Sequence, residues 1–226
     1  MINRKGSKVD KIDSTAKKKY EVKVINKGEI PEWKDVEIAG LSYIGWGTEY
    51  VPECTARCFY ERDTGLHVKL TCREKNPLTR YTKFFDNVYE DSCLEFFSCI
   101  DGGENYMNIE VNSNGTMLCA IGADRNTRTP INEVIELHSD ASAFPMTAGV
   151  EDDGEVWFVE YVVPAAAMAK VFGIAQDDIK EGFVMRGNFY KCGNDTEFEH
   201  YLMWSPILTK RPDYHRPEYF GELIFK

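Results

Sequence analysis

The sequence has no long apolar run, no secretory leader and few of the motifs that build nucleophilic or metal sites. No stretch of about 18 apolar residues occurs in the 226-residue chain, which excludes a transmembrane helix. The basic N-terminal segment has no apolar core behind it, so it does not resemble a signal peptide. Neither an HExxH pattern nor a Gly-x-Ser-x-Gly elbow nor a phosphate loop is present. We expect a cytoplasmic protein, although a piece of a longer secreted protein would have the same features.

Positive charge is also scarce, and the cysteines are odd in number. The chain has 27 Lys and Arg against 37 Asp and Glu, for a formal charge of −10. An acidic surface repels phosphate backbones and anionic lipids, so neither nucleic acid nor a membrane is an expected partner. Seven cysteines cannot all pair within one chain, and no two form a CxxC motif. Because most lie in apolar runs, we expect buried free thiols in a reducing compartment.

What the sequence does have is an alternation of apolar and polar side chains, interrupted by turn signals. Such alternation is typical of strands with one buried face. Asp63-Thr64-Gly65 and Asn114-Gly115 each separate two alternating runs and predict hairpins. Ten strands are predicted, at residues 20–25, 54–60, 66–72, 93–100, 106–111, 116–121, 155–163, 183–190, 199–204 and 220–225.

The predicted fold class is all-β, an antiparallel β-sandwich or jelly roll with one short helix. The helix is expected over 164–172, where strong helix formers follow a proline. Residues 1–19 are Lys-rich and predicted to be a flexible lead-in. No repeat, linker or break in composition interrupts 20–226, which is therefore predicted to be a single domain.

Three stretches, in this order, resemble family 9 carbohydrate-binding modules and their DOMON-type relatives. Residues 89–97 (YEDSCLEFF) are similar to the "DSVE-F" strand of that group, and 106–115 (YMNIEVNSNG) to the next strand and its turn. Trp204-Ser205-Pro206 with 214–223 (YHRPEYFGEL) is similar to its "W-S … P-x-x-F-G-x-L" ending. The resemblance covers roughly 33–226 and is closest to stand-alone members. It implies a jelly roll that binds carbohydrate without catalysis.

The resemblance also implies a site in which a sugar lies between two aromatic rings. In sugar-binding members one clamp tryptophan lies six residues before the strand glutamate, a position held here by Tyr89, before Glu95. The second lies six residues before the terminal Phe-Gly, a position held here by Tyr214. Of the polar contacts, Glu95 and Asn112 match the pattern, whereas Glu110 stands where a cation is expected.

The residues themselves point to further candidates for ligand binding. Arg186 and Asn188 share one face of their predicted strand, and Arg186 could instead pair with Glu95. His215 and Arg216 flank Tyr214 in a polar stretch that offers a large ring little core to fill. We interpret Trp157 and Trp204 as core residues. Residues 30–47 are predicted to form an irregular segment that wraps over the sandwich, with Trp33 and Trp46 as its anchors.

Two other functions stay open at this point. A glycoside hydrolase would use two carboxyl groups among Asp91, Glu95 and Glu110. A DOMON-like domain would hold haem or act only as an interaction scaffold. Haem ligands would come from the set Met107, Met185, Met203 and His200.

Cofactors and partners follow from the same resemblance. No cofactor is certain, and structural calcium is implied by the family, with acidic turns at 101–104 and 151–153 as sources of oxygen ligands. The expected partner is a sugar or oligosaccharide, and a partner glycoside hydrolase is left open.

Overall fold

The computed structural model describes residues 17–46, 50–151 and 154–226. They contain one α-helix, α1 (Ala165–Phe172), which ends at Gly173 in the left-handed conformation (φ 67°). The strands are β1 (Lys19–Ile25), β2 (Ala39–Gly40), β3 (Tyr43–Ile44), β4 (Glu53–Glu61), β5 (Gly65–Arg73), β6 (Cys93–Ile100), β7 (Tyr106–Asn112), β8 (Met117–Gly122), β9 (Thr129–Pro130), β10 (Met146–Val150), β11 (Val156–Pro164), β12 (Val184–Gly193), β13 (His200–Met203) and β14 (Gly221–Phe225).

The strands form two sheets that share β1. The first sheet has the order β1-β14-β12-β6-β7-β8-β9, with β13 beside the end of β12 and β3 beside β13. The second sheet has the order β1-β4-β5-β11-β10, with β2 on β4. The all-β prediction is confirmed. The pairing is antiparallel except at β1, which runs parallel to both β14 and β4 among the described strands.

The main core fills the space between the two sheets. It is rich in aromatic rings: Phe96 and Phe189 stack with their centroids 4.9 Å apart, and Trp204 packs 5.7 Å from Phe189. Trp157 and Trp204 are buried in it, as predicted. These large rings bury much apolar area with few rotors to immobilise, which favours a rigid sandwich.

The predicted strands and the helix are all present, with boundaries shifted by at most three residues. The hairpin between β4 and β5 has a three-residue loop, but the loop is Arg62-Asp63-Thr64, because Gly65 pairs with Glu61 as the first residue of β5; Asp63 takes a positive φ of 61°. Strand β10 was missed because its sequence, MTAGV, combines weak alternation with a glycine. Asp152 and Asp153 of the acidic turn at 151–153, and residues 1–16 of the lead-in, lie outside the described residues.

The first sheet is buried on both faces, which positions the site. In β6 the side chains of Leu94 and Phe96 enter the main core, whereas Cys93 and Phe97 belong to a second cluster on the opposite face. Loops that carry Tyr214 and other rings cover that face. This double burial explains why β6 reads as a nearly continuous apolar run.

Two predictions concern the state of the cysteines and the absence of a transmembrane helix. All seven cysteines are unpaired and buried, as expected. Within the described ranges, no helix has both the length and the apolar character needed to cross a bilayer.

Candidate functional site

A pocket of about 330 Å³ opens on the covered face of the first sheet. Its floor comes from β6, β7 and β12, and its walls come from the loops before β6, after β8 and before β14. The lining residues are Trp46, Tyr89, Glu95, Glu110, Arg125, Asn126, Arg128, Cys192, Asn194, Tyr201, Pro212, Asp213, Tyr214 and His215. Five of the nine predicted ligand-binding residues therefore meet here, although they are far apart in sequence.

Two carboxyl groups lie side by side on the pocket floor. Glu95 of β6 and Glu110 of β7 are directly opposed in the antiparallel register, so both side chains point to the same face. Both residues are buried, at 2% and 3% exposure. Burial raises the pKa of Glu95 well above its usual range, helped by the neighbouring Cys192 and Glu110. Burial likewise raises the pKa of Glu110 to about 7, against the opposing effect of Arg128.

Arginine side chains from the loop after β8 stand over this floor. Arg128 Nη1 lies 3.6 Å from Glu110 Oε1, and Asn108 Nδ2 donates to the same oxygen at 2.9 Å. Arg125, also in the loop, is exposed at the mouth. The family resemblance predicted a cation where the chain has Glu110. In the structure, the positive charge beside Glu110 comes instead from Arg128, in the polar loop after β8.

Tyr89 lies at the pocket wall as the resemblance implied. It is in a short 3-10 turn that precedes β6, and its ring is partly exposed. Burial is the largest cause of the raised pKa of its phenol, followed by the charge of Glu90. The hydroxyl is therefore a neutral hydrogen-bonding group at neutral pH, and the residue lines the pocket.

Tyr214 also reaches the pocket, but its ring is mostly interior. It is 7% exposed and stacks on Tyr190 with centroids 4.0 Å apart and planes 11° apart. The single proton of its hydroxyl is shared between the main-chain carbonyls of Lys191 and Leu202, each 3.0 Å away. We predicted that this ring lacks a core to fill, and that was wrong: the loop folds back so that the ring becomes part of the second cluster.

Trp46 is a pocket residue that the sequence analysis treated only as an anchor. Its ring packs 5.5 Å from that of Tyr214 and 5.7 Å from that of Tyr201, and its Nε1 donates to Thr209 O at 3.0 Å. It does anchor the wrap, and it also lines the pocket. A tryptophan in an irregular segment gives no periodicity from which this second role could be read.

His215 lies beneath the mouth of the pocket. Its Nδ1 is 2.7 Å from the hydroxyl of Tyr106, and its ring packs 4.9 Å from that of Phe97. Burial, reinforced by Arg128 and Arg125, lowers its pKa to about 2. The ring is therefore neutral and offers a hydrogen bond rather than a charge.

Asn112 and Asn188, both predicted contacts, lie outside the pocket and hold the backbone. Asn112 donates to Tyr81 O and to the carboxylate of Asp91, and accepts from Thr116 N at 2.9 Å. Asn188 donates to Ser205 O and accepts from Ser205 N, at 2.8 Å each. Both side chains are fully buried with their hydrogen bonds used internally. Asp91 is buried in the same way, away from the pocket.

Arg186 and Arg216 also lie outside the pocket. Arg186 donates to Pro217 O at 2.7 Å, and its strand register places it opposite Cys99 rather than Glu95, so the alternative pairing with Glu95 was wrong. Arg216 pairs with Asp213 at 2.6 Å. Both arginines therefore brace the loops that form the walls.

The residues considered as haem ligands are occupied by other contacts. Met107 and Met185 pack in the main core, whereas Met203 belongs to the second cluster. His200 Nε2 lies 2.7 Å from Lys191 Nζ, and its Nδ1 lies 2.6 Å from Phe198 O. The arrangement does not fit haem, because both ring nitrogens of the histidine are already engaged.

The comparisons with known proteins identify the family. A profile described as carbohydrate-binding family 9 matches residues 28–225. The chain therefore belongs to carbohydrate-binding family 9. Among solved structures, it is similar to a "putative carbohydrate-binding protein" from Bacteroides uniformis ATCC 8492, with 26% identity and a TM-score of 0.76, covering 93% of this chain and 100% of that one. A comparison with curated proteins gave no match.

Proposed function

We propose that this chain is a non-catalytic module that binds the end of a mono- or oligosaccharide in the pocket above β6 and β7. The observation that carries the proposal is the meeting of aromatic rings with a floor of carboxyl and guanidinium groups. Family membership and the similar structure support carbohydrate as the class of ligand. The particular sugar is not part of the proposal.

The chemistry of the pocket suits a pyranose ring. Such a ring has apolar C–H patches on its faces and hydroxyls at its edge. The face of Tyr89 can cover a C–H patch, while Glu95, Glu110 and Arg128 hydrogen-bond the hydroxyls. A volume of about 330 Å³ is at the small end of ligand sites, which favours a chain end over the middle of a polymer.

The floor carboxyl groups are suited to hydrogen bonding with sugar hydroxyls. Burial raises the pKa of Glu95 well above its usual range, helped by Cys192 and Glu110, and raises that of Glu110 to about 7 against the effect of Arg128. Glycoside hydrolysis would need one such group ionised while the other donates a proton, and the choice of binding over hydrolysis rests on the family. Protonated carboxyl groups can still donate and accept hydrogen bonds with hydroxyls.

A reducing, cytoplasmic setting belongs to the same proposal, and the seven unpaired buried thiols support it. The ligand would then be an imported oligosaccharide or an intracellular glycoside. A glycoside hydrolase that acts on the same ligand would be a natural partner.

The test is a glycan panel followed by calorimetry on each ligand found. We expect micromolar to millimolar affinity, as a small shallow site gives. Tyr89→Ala should weaken binding by about 2- to 12-fold, equivalent to about 0.5–1.5 kcal/mol for one aromatic contact. Phe198→Ala, which removes a ring that is 55% exposed outside this pocket, is the matched control and should bind normally. A panel without any bound glycan, or equal losses in both variants, would contradict the proposal.

A further inference from the structure

Three side chains with metal-binding atoms converge at one corner of the pocket floor. Cys93 of β6 and Cys192 of β12 are directly opposed across the antiparallel pair, so their side chains leave the sheet on the same face. Glu95 follows two residues after Cys93 and shares that face. The two sulfurs and one carboxylate oxygen all lie within 4.8 Å of one another, and Glu95 Oε1 is 2.9 Å from Cys192 Sγ.

The cluster is buried yet reachable. Cys93 is fully buried, while Glu95 and Cys192 line the pocket. Within the described ranges, no lysine, arginine or histidine forms a salt bridge with Glu95, and its side chain has a single hydrogen-bond partner, Cys192. A buried carboxyl group with no cation is costly in its charged form. A bound cation would supply the missing charge.

We propose that Cys93, Glu95 and Cys192 form a site for one thiophilic divalent ion, with Zn²⁺ as the best match. Two thiolates exclude the hard cations Ca²⁺ and Mg²⁺, which take oxygen ligands. Three protein ligands would leave the fourth tetrahedral position of the ion open, and Glu95 and Cys192 both line the pocket from which a further ligand would come. Water or a ligand hydroxyl can occupy it. The ion site goes beyond sugar binding and does not depend on it.

The structure also distinguishes this site from the other cysteine pair. Cys54 and Cys72 are opposed in the same way on β4 and β5, with sulfurs 3.2 Å apart. They face the main core, and no third ligand joins them within the described residues. Glu74 Oε2 lies 3.9 Å from Cys72 Sγ, but this carboxylate is already engaged by Lys191 Nζ at 3.3 Å and by the side chains of Ser92 and Trp157. Glu95, by contrast, has Cys192 as its partner and lines the pocket.

The experiment is a titration of the reduced, chelator-treated full chain with Co²⁺, a spectroscopic substitute for Zn²⁺. We expect one equivalent to give thiolate-to-cobalt charge-transfer absorption and the intense visible bands of a tetrahedral ion, and Zn²⁺ to abolish both. X-ray absorption of the Zn²⁺ form should show two sulfurs at about 2.3 Å and nitrogen or oxygen ligands at about 2.0–2.2 Å.

Three variants locate the site. Cys93→Ser and Cys192→Ser should abolish the charge-transfer band or weaken binding by more than about 100-fold, above the 10- to 100-fold cost of losing an outer-shell partner. Glu95→Gln should weaken binding while keeping the sulfur signal. Cys119→Ser is the matched control, since Cys119 is a fully buried cysteine of the same sheet outside the cluster, and it should bind normally.

Three results would overturn the proposal. No charge-transfer band in reduced wild-type protein, or a band that survives both Cys93→Ser and Cys192→Ser, overturns the proposal. A Cys93–Cys192 disulfide that forms readily in protein that takes up no Co²⁺ when reduced also overturns it. If a serine variant does not fold, the X-ray absorption of the wild-type protein decides. Because no sugar is used, failure here leaves the carbohydrate proposal standing, and failure of the glycan panel leaves this one standing.

Discussion

Tyr214 supports the pocket wall with a buried ring rather than an exposed one. The family resemblance gives it the second clamp position, but the structure gives it a buried ring. Stacking on Tyr190 at 4.0 Å, contact with Trp46 and a hydroxyl proton shared between two main-chain carbonyls tie three segments together. We therefore predict that Tyr214→Ala acts first on stability.

The expected cost follows from these contacts. Truncation of a buried aromatic ring costs about 3–5 kcal/mol, which includes the cavity it leaves. The hydroxyl has one proton, shared by the buried carbonyls of Lys191 and Leu202, and one net hydrogen bond contributes about 1 kcal/mol. Tyr214→Phe keeps the ring and loses only this hydrogen bond, so we expect it to cost about 0.5–1.5 kcal/mol.

Urea unfolding followed by tryptophan fluorescence is the assay. With a slope of about 2–3 kcal/mol/M, Tyr214→Ala should lower the midpoint by about 1–2 M and Tyr214→Phe by less than half as much. Tyr89→Ala, at a partly exposed wall position, should leave the midpoint nearly unchanged. An unchanged midpoint for Tyr214→Ala, combined with loss of sugar binding, would show that the ring serves the ligand and would refute this reasoning.

Three more predictions concern buried charge, pH and backbone. Lys191→Met should lower the free energy of unfolding by about 3–5 kcal/mol, because it strands the carboxylate of Glu74, 3.3 Å from the lysine Nζ, and adding Glu74→Gln should recover part of the loss. The pKa of His215 is lowered to about 2, so below about pH 6.5 the unfolded chain binds one more proton than the folded chain, and stability decreases as the pH falls. His215→Gln should reduce the slope of the free energy of unfolding against pH by up to about 1.4 kcal/mol per pH unit, measured by urea unfolding at several pH values. Gly65→Ala should cost about 1–3 kcal/mol in thermal or urea unfolding, because Gly65 has φ 152° and its Cβ would lie 2.1 Å from Val163 O.

Each of the three has a result that would count against it. Strictly additive costs in the double variant would mean that Lys191 and Glu74 do not interact. Parallel pH profiles for His215→Gln and wild type would mean that the histidine is protonated in the folded state. Gly28→Ala is the control for Gly65→Ala, because Gly28 also has a positive φ but its Cβ would have nothing within 4 Å. Equal losses of stability in the two variants would mean that the positive φ, and not the clash with Val163 O, causes the cost.

Most of the fold could be predicted because its information is local. Alternation, Asp63-Thr64-Gly65 and Asn114-Gly115 depend on residues next to one another, and β4 through β8 were found from them. The parallel pairing of β1 could not be found this way, since it joins segments that share no turn. Strand β10 could not be found either, because its sequence does not alternate clearly between apolar and polar residues.

The candidate site was predicted less well because it is assembled from loops. Tyr89, Glu95 and Glu110 could be placed, since they lie in or beside a recognisable strand. Arg128 and Trp46 could not be placed, because the sequence of an irregular segment does not indicate how that segment folds over a sheet. Asn112 was assigned to the ligand from the family pattern and Asn188 from its strand face, yet buried amides more often hold the backbone, as they do here.

The shared strand β1 also sets the order in which the fold can form. Its partner β14 lies roughly 200 positions further along the chain, with Lys19 opposite Glu222. Closing so long a loop costs entropy before the pairing returns any contact energy, and folding slows as such non-local contacts increase. The hairpins from β4 to β8 can form early from local pairs. Joining of the two sheets through β1 is then a late and slow step, to be seen as delayed hydrogen-exchange protection of β1 and β14.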